Sequence, residues 1–325
     1  LGRRAGNKTE KGEEGFFLAG RKLGKVYQFF LNFGNSTDAN GAVSTTSLVY
    51  QYGMSGMWLA FQMVFMNPYF WFMNLWFRRT RLVTTADLLE DRLGSRRLSQ
   101  FYAVIQVVAA VIVMIGFGNL VTYKISSALV IKPESTWTAA ERETVRDYHR
   151  FRELKDAAAA RKLEPSDEAR LPVLRERAER GELRGSITLL RPLPFYIAYT
   201  LVVGAYILLG GMAATAVNEI VQSLLIVGFS FMLLPFGFPA IGGIEGLRAQ
   251  VPKTMFELFG SEGVSQVTGW TVVAVFAVTW VQITGIMGNM SISGSAKSEF
   301  AARFGAVSGT YAKRFMIIMW AFCGL

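Results

Sequence analysis

The sequence predicts an all-α integral membrane protein, from its composition, its charge pattern and an acid inside an apolar stretch. Of the 325 residues, 51% are hydrophobic, and the mean hydropathy is +0.30. Several apolar runs approach the roughly 20 residues that a helix needs to cross a bilayer. We therefore expect membrane spans at residues 28–52, 56–77, 101–125, 194–210, 214–238, 266–288 and 315–325.

The positive charges are distributed unevenly, and this predicts the orientation of the chain. The net charge is +10, and residues 1–25, 77–100 and 289–314 carry seven, six and four Lys or Arg residues. If the spans alternate, these segments lie on one side, and the short loops 52–57 and 240–264 opposite them carry only two. Cytoplasmic loops are enriched in Lys and Arg. The pattern places the amino-terminal segment in the cytoplasm and argues against nucleic-acid binding.

The first span contains a polar interruption that an ordinary membrane helix lacks. An apolar part leads into GNSTDANG, residues 34–41, and a second apolar part follows. An ionised acid such as Asp38 is costly in hydrocarbon, so it usually faces a bundle interior or a water-filled cavity. Irregular backbone at membrane depth is tolerated only under the same conditions. We expect a broken helix of the kind that holds substrate and ions in transporters. The alternative is an exposed turn between two short helices.

A second glycine-interrupted segment, TGIMGNMSISG, follows the sixth span and contains Gly285, Gly288 and Gly294. Two such segments in corresponding halves of a chain point to a transporter binding site. The alternative interpretation is a helix end that passes into a glycine-rich cytoplasmic loop.

Other residues predict where helices begin and end. Thr85 is expected to cap a short helix in the connector after the second span, and Gly94 to end it. Pro235 and Pro239 are expected to end the fifth span. Glu219, near the start of that span, is interpreted as a carboxylate that complements the helix dipole rather than as an ion ligand.

Residues 132–191 differ sharply in composition from the rest. They hold 14 Lys or Arg residues and 12 Asp or Glu residues, half of the acids in the chain. This pattern predicts a pair of charged helices, which alternation of the spans places outside the cytoplasm. We interpret the segment as a solvated helical hairpin, with a docking module for a partner as the alternative.

The insertion divides the rest of the chain into three further domains. Residues 1–131 contain the cytoplasmic lead-in and the first three spans, and residues 192–238 contain the fourth and fifth spans. Residues 239–325 contain an outer loop, the sixth span, a cytoplasmic loop and the start of the seventh span.

No set of residues predicts an enzyme. The chain has one cysteine, Cys323, and one histidine, His149, which lies in the charged insertion. A cysteine-based metal cluster is therefore excluded, and no nucleophile–base arrangement or phosphate-binding loop is present in the sequence. No catalytic residue and no metal other than sodium is expected.

Four stretches, in this order, resemble the sodium:solute symporter family, which includes sugar, proline and iodide carriers. They are FFLAGRKLG (16–24), TTADLLEDRLGSR (84–96), GGMAATAVNEIVQSLLIVG (210–228) and SAKSEFAARFGA (295–306). The resemblance implies a LeuT-like fold of two inverted five-helix repeats, with sodium and solute bound between them near the bilayer midplane. The chain would cover the first repeat and the start of the second.

The resemblance also implies a site at the broken helix. Matching STDANGA to the proline carriers puts the sodium-binding carbonyls at Ser36 and Ala39 and the acid at Asp38. A second alignment matches Asn35 to that acid and moves the carbonyls to Phe33 and Ser36. The usual Gln-Arg after the second broken helix is replaced here by Ser291-Ile292, which leaves the solute open. The candidate solute-binding residues are Asn35, Thr37, Asn40 and Thr284.

The function that follows is sodium-coupled symport of a small solute by alternating access, with sodium as a transported ion rather than a prosthetic group. The expected partners are the solute, Na⁺ and the lipid bilayer, and the expected location is a bacterial inner membrane. The chain lacks an initiator Met and stops inside an apolar run, so we expect a piece of a longer protein, with the remaining sodium ligands beyond Leu325. Two alternatives stay open, a solute sensor built on the same fold and fused to a signalling domain, and a membrane scaffold.

Overall fold

The computed structural model describes residues 12–159, 165–260, 266–282 and 290–325, and helices are the regular elements throughout these ranges. The expected all-α class is therefore confirmed for the described residues. The chain divides into two compact units, one formed by Leu1–Met114 and Val202–Leu325 and the other by Ile115–Leu201.

The first unit contains most of the helices. Their bounds are α1 (Glu13–Leu18), α2 (Lys25–Ser36), α3 (Ala39–Tyr52), α4 (Met57–Phe61), α5 (Phe70–Thr80), α6 (Thr85–Leu93) and α7 (Arg96–Ala109). The second unit contains α8 (Phe117–Leu129), α9 (Ala139–Ala159), α10 (Pro165–Glu168) and α11 (Arg170–Glu179). The later helices are α12 (Pro192–Ala240, which begins in the second unit), α13 (Gly243–Gln250), α14 (Gly269–Gln282), α15 (Met290–Gly294) and α16 (Glu299–Phe322). A π-helical stretch, Ala110–Gly116, follows α7.

Two of the expected helix boundaries need correction. The cap of α6 is Thr84 rather than Thr85, because the Thr84 hydroxyl accepts from the Asp87 amide and the Asp87 carboxylate accepts from the Thr84 amide. This reciprocal pair is a capping box. Gly94 ends the helix as expected, in the left-handed conformation. Pro235 does not end α12, which ends at Ala240, one residue after Pro239.

Helix α16 packs against α2 through two glycines. A Cβ at Gly305 would lie 2.4 Å from Gln28 Cβ, and a Cβ at Gly309 would lie 2.6 Å from the Phe29 carbonyl oxygen. Residues four apart share a helix face, and paired small residues at this spacing allow helix backbones to approach closely. The glycine pair therefore holds α16 along the helix that precedes the predicted break.

Apolar side chains complete this packing in two clusters. The first joins α2, α3 and α16 through Phe33, Val49, Met316, Ile317 and Trp320. The second joins α5, α15 and α16 and contains Met66, Phe70, Met73, Phe77, Met290 and Ala306. Burying a large apolar side chain stabilises the fold by about 1.5–3 kcal/mol, so these clusters fix α16 relative to the helices around the break.

Two helices in the described ranges are long and apolar enough to cross a membrane, Arg96–Leu129 and Pro192–Ala240. Within their apolar 18-residue stretches, 0% and 11% of the residues are buried, whereas a core helix of a soluble protein is mostly buried. The second contains two of the expected spans, joined at Gly211, where φ is 55° and ψ is −158°. The first expected span is instead two helices, α2 and α3, and the sixth corresponds to the shorter apolar helix Gly269–Val281.

The second unit holds the charged insertion. Its helices are α8 (Phe117–Leu129), α9 (Ala139–Ala159), α10 (Pro165–Glu168) and α11 (Arg170–Glu179). Arg177 Nη1 on α11 donates to Asp147 Oδ2 on α9 at 2.5 Å, and a β-bridge between Ile131 and Thr188 closes the base of the insertion. The structure therefore contains the pair of charged helices that the composition predicts.

Candidate functional site

The backbone is interrupted where the sequence predicts it. Helix α2 ends at Ser36 and α3 begins at Ala39. Between them, Thr37 (φ −121°, ψ 114°) and Asp38 (φ −134°, ψ 166°) are extended. We call these two residues with the helix ends on either side the α2–α3 break. A discontinuous helix of this kind leaves backbone groups at both ends without intrahelical partners.

Asp38 caps α3. Its carboxylate Oδ1 accepts from the Gly41 amide at 2.7 Å, and the residue is exposed. A carboxylate at this position complements the positive end of the α3 dipole. The acid therefore holds the start of α3 in place.

The carbonyl groups of the two helix ends are not equivalent. The Phe33 carbonyl accepts from Ser36 Oγ at 3.0 Å, and the Gly34 carbonyl accepts from the Thr37 amide at 3.0 Å. Ser36, the last residue of α2, has its carbonyl among the four that a helix end leaves without intrahelical donors. Ala39 is the first residue of α3, so its carbonyl is in position to accept within that helix. Ser36 is thus the better placed of the two predicted carbonyl ligands.

Three of the four predicted solute-binding residues lie at the same break. Thr37 is 6% exposed, and its buried hydroxyl has no hydrogen-bond partner in the part of the chain that the structure describes. Asn40 is half-buried, and its Oδ1 accepts from Ser44 Oγ at 3.2 Å. Asn35 is exposed. Thr284 lies outside the described residues, so the structure brings three of the four candidates together.

One cation on α16, Lys313, was not predicted as part of the site. A Cβ placed on Gly41 would lie 3.0 Å from Asp38 Oδ1 and 3.8 Å from Lys313 Nζ. The ammonium group and the carboxylate thus approach the same glycine, and Asp38 attracts Lys313 electrostatically. The neighbouring Arg314 is 6% exposed. The sequence shows Lys313 directly before an apolar run, but sequence spacing does not show that its ammonium group approaches the break.

Glu219 approaches the break from α12. Its Oε2 atom lies 1.6 Å from the point that a Cβ on Gly34 would occupy, so a larger residue there would require the Glu219 side chain to move. The side chain is half-buried. Glu219 stands two turns beyond the irregular Gly211, and the dipole effect falls off within the first turn of a helix. The helix-dipole interpretation therefore does not account for its position, and contact with the break does.

Hydrogen bonds join the lead-in and the start of α2 to α15 and to the segment that follows it. The Leu23 amide donates to the Ser295 carbonyl at 3.1 Å, and the Lys297 amide donates to the Leu23 carbonyl at 2.7 Å. Buried Gln28 donates to the Ile292 carbonyl at 3.0 Å and to Ser295 Oγ at 2.9 Å. We call this set of contacts the lead-in clamp. It joins the start of α2 to residues that follow the second glycine-interrupted segment.

The second predicted interruption is described only in part. Helix α14 ends at Gln282 and α15 begins at Met290. Gly285 and Gly288 lie outside the described residues, and Gly294 is the last residue of α15. Ser293 Oγ on α15 hydrogen-bonds to Asn74 Oδ1 on α5.

No group of three or more His, Cys, Asp or Glu residues that could hold a metal ion occurs within the described ranges. The polar groups at the α2–α3 break are instead carbonyls, hydroxyls, single carboxylates and cations. Oxygen ligands of this kind suit a hard monovalent cation, which a transporter binds between broken-helix carbonyls.

A family model matches the first part of the chain. Residues 16–132 match the family model described as the sodium:solute symporter family. This range includes the lead-in, the α2–α3 break and the α6 connector, and it covers less than half of the chain. The resemblance seen in the sequence is confirmed for these residues. No curated protein matches the chain.

Proposed function

We propose that this chain is part of a sodium-coupled secondary transporter that moves a small solute by alternating access. The observation that carries the proposal is the α2–α3 break, which lies inside the range that matches the symporter family. Members of that family are membrane transporters rather than enzymes. The two apolar helices of membrane-spanning length agree with that class.

The ion site of this proposal consists of the Ser36 carbonyl and the Asp38 carboxylate, with the Ala39 carbonyl as a further ligand. The negative end of the α2 dipole points at the break, where a cation is favoured. Unwound carbonyls and half-helix carboxyl ends coordinate Na⁺ in transporters with discontinuous helices. Asp38 supplies a full negative charge, whose effect grows where water is scarce.

The solute site of this proposal uses the side chains around the same break. The buried Thr37 hydroxyl supports it, because a buried polar group without a partner is costly unless something satisfies it. Asn35 and Asn40 offer further donors and acceptors, and Thr284 is proposed to join them from the second interrupted segment. Binding of ion and solute at one break would couple their movements.

At the scale of the fold, the proposal is a LeuT-like pair of inverted repeats in a multi-pass protein of the bacterial inner membrane. The five spans up to residue 238 would form the first repeat, and α14 to α16 would begin the second. The lead-in clamp supports this arrangement, because it ties the start of the first broken helix to the segment that follows the second. No observation in the described residues favours the sensor alternative.

Sodium binding by the full-length protein tests the proposal. We expect sodium chloride to stabilise the purified protein against heat more than choline chloride does at equal ionic strength. Asp38→Asn should raise the sodium concentration needed by about tenfold or more, since a tenfold change corresponds to about 1.4 kcal/mol. Asp91→Asn, in the α6 connector, is the matched control and should leave the sodium response unchanged. An unchanged response in Asp38→Asn would remove this acid from the ion site.

A further inference from the structure

Two cationic side chains lie over aromatic rings where α2, α5 and α16 meet. Lys25 Nζ, at the start of α2, is 4.5 Å from the centre of the Phe300 ring. Arg303 Cζ is 5.4 Å from the centre of the Trp71 ring. The Trp71 and Phe300 ring centres are 6.0 Å apart, and Phe304 stacks on Phe300. These five residues are in contact one after another, and we call them the cation–aromatic cluster.

The apolar part of the cluster is open to the surroundings. Phe300 and Phe304 are exposed, and so are Val26 and Tyr27, which follow Lys25 at the start of α2. Aromatic residues are enriched at the level of the lipid headgroups, where Lys and Arg also extend their charged ends. The cluster therefore has the composition of a surface at the boundary between membrane and water.

The cluster also joins the basic segments that the charge pattern places on one side of the membrane. Lys25 ends the first of these segments, and Arg303 lies in the third. Arg79, in the second, donates from Nε to Glu299 Oε1 at 2.9 Å, directly beside the cluster. That side is expected to be cytoplasmic. Anionic lipids give the cytoplasmic surface of a membrane a negative potential, which attracts Lys and Arg.

The acid beside the cluster does not pair with its two cations. Glu299 attracts Arg303 electrostatically, but both of its carboxylate oxygens accept from Arg79, at 2.9 and 3.2 Å. Within the described ranges, neither Lys25 nor Arg303 forms an ion pair at 4.0 Å or less. The buried Arg303 Nε atom also lacks a hydrogen-bond acceptor there. Both cations are therefore available to an anion.

The simplest alternative is that the rings alone hold the two cations. A cation is attracted to the face of an aromatic ring, but the ring supplies no counter-charge. Such a contact orients the Lys25 and Arg303 side chains and leaves their positive charges unbalanced. An anion that can lie against exposed aromatic rings would complete the set of contacts.

We propose that the cation–aromatic cluster binds the headgroup of an anionic phospholipid. The Arg303 guanidinium supplies paired donors that match phosphate oxygens, and the Lys25 ammonium group supplies a point charge. The exposed rings would contact the lipid below its headgroup. This inference requires insertion in a bilayer, and it is independent of sodium binding at the α2–α3 break.

Binding of defined lipids by the purified full-length protein in detergent tests the inference, at constant sodium concentration and ionic strength. The probes are phosphatidylglycerol and phosphatidylcholine with identical acyl chains, and inorganic phosphate as a soluble anion. We expect phosphatidylglycerol to raise the melting temperature at an about tenfold lower concentration than phosphatidylcholine, because two basic residues favour the anionic headgroup. Native mass spectrometry of the unmodified protein, offered equal amounts of both lipids, should show that phosphatidylglycerol is retained.

Variants at the two cations show whether the cluster is the site. Lys25→Gln and Arg303→Gln should each raise the half-effective concentration of phosphatidylglycerol by about fivefold, which corresponds to about 1 kcal/mol for each basic residue. Arg303→Lys keeps the charge without the paired donors and should lose less. Arg97→Gln is the matched control, because it removes an exposed charge from another segment on the same expected side and should change nothing.

Three results would contradict the inference. They are equal effects of the two phospholipids, an equal effect of inorganic phosphate, and a loss in Arg97→Gln as large as that in Arg303→Gln. The last result would mean that the lipid responds to overall charge rather than to the cluster. Sodium stabilisation in the same samples reports on the proposed function separately, so a retained sodium response without lipid preference would contradict only this inference.

Discussion

For single residues, short sequence signals account for the α2–α3 break, whereas a long-range contact brings the Lys313 ammonium group to it. Asp38 is followed by small and polar residues, and it caps α3. Aspartate is one of the residues that helix starts prefer at the cap position. This cap could be predicted because it depends only on residues that are neighbours in sequence. Lys313 reaches the same place from the opposite end of the chain, so no spacing rule could have brought it to Asp38.

A titratable residue of the insertion offers a test at this scale. The hydrogen bond from Lys132 is the main cause that lowers the pKa of the Glu141 carboxyl, and the bond from the Thr138 amide adds to it. A carboxyl whose pKa is lowered on folding stabilises the fold above its unfolded pKa, and this stability is lost as pH falls through the folded pKa. We expect amide exchange at the start of α9 to accelerate as pH is lowered below about 4.3, after correction for intrinsic exchange.

Glu141→Gln should show the same fast exchange at neutral pH, with little further change on acidification. Glu143→Gln, two residues further along the same helix, serves as the control and should behave like the unmodified protein. Slow exchange in Glu141→Gln across the whole range would mean that this carboxylate does not hold the helix start.

At the scale of the element, close packing of α16 on α2 positions the break. The Gly305–Gly309 pair removes the side chains that would separate the two helices. The two glycines stand four residues apart in the motif GAVSG, residues 305–309. The helix partner of such a motif is set by tertiary structure, which explains why the α2–α16 contact was not predicted.

Gly309→Ala tests this contact. The added methyl group would meet the Phe29 carbonyl oxygen and the Phe33 amide nitrogen at 2.6 and 2.8 Å, so the helices must separate. We expect the free energy of unfolding to fall by about 1–3 kcal/mol, as for overpacking in other cores. Chemical denaturation in detergent measures it.

Gly118→Ala is the matched control, because a Cβ there meets nothing within 4 Å. Alanine is the better helix former by about 1 kcal/mol, so this variant should be neutral or more stable. Equal stability of the two alanine variants would contradict close backbone packing at Gly309.

At the scale of the whole molecule, hydropathy predicted the class of the protein better than the limits of its spans. The all-α class, the broken first span and the charged helical insertion could be predicted, because each depends on local composition. The continuous helix through Pro235 could not, since a proline in a membrane helix is tolerated when neighbouring groups satisfy the freed backbone. Neither could the approach of Glu219 to Gly34, which joins two distant helices.

Sodium binding at the α2–α3 break can be detected by labelling of a single cysteine placed beside it. Asn35→Cys in a Cys323→Ser background places the sole cysteine at the exposed end of α2. We expect sodium, but not choline, to slow its reaction with an impermeant maleimide, while Arg180→Cys in the insertion reacts at the same rate in both salts. Equal rates at position 35 with and without sodium would contradict sodium binding at the break.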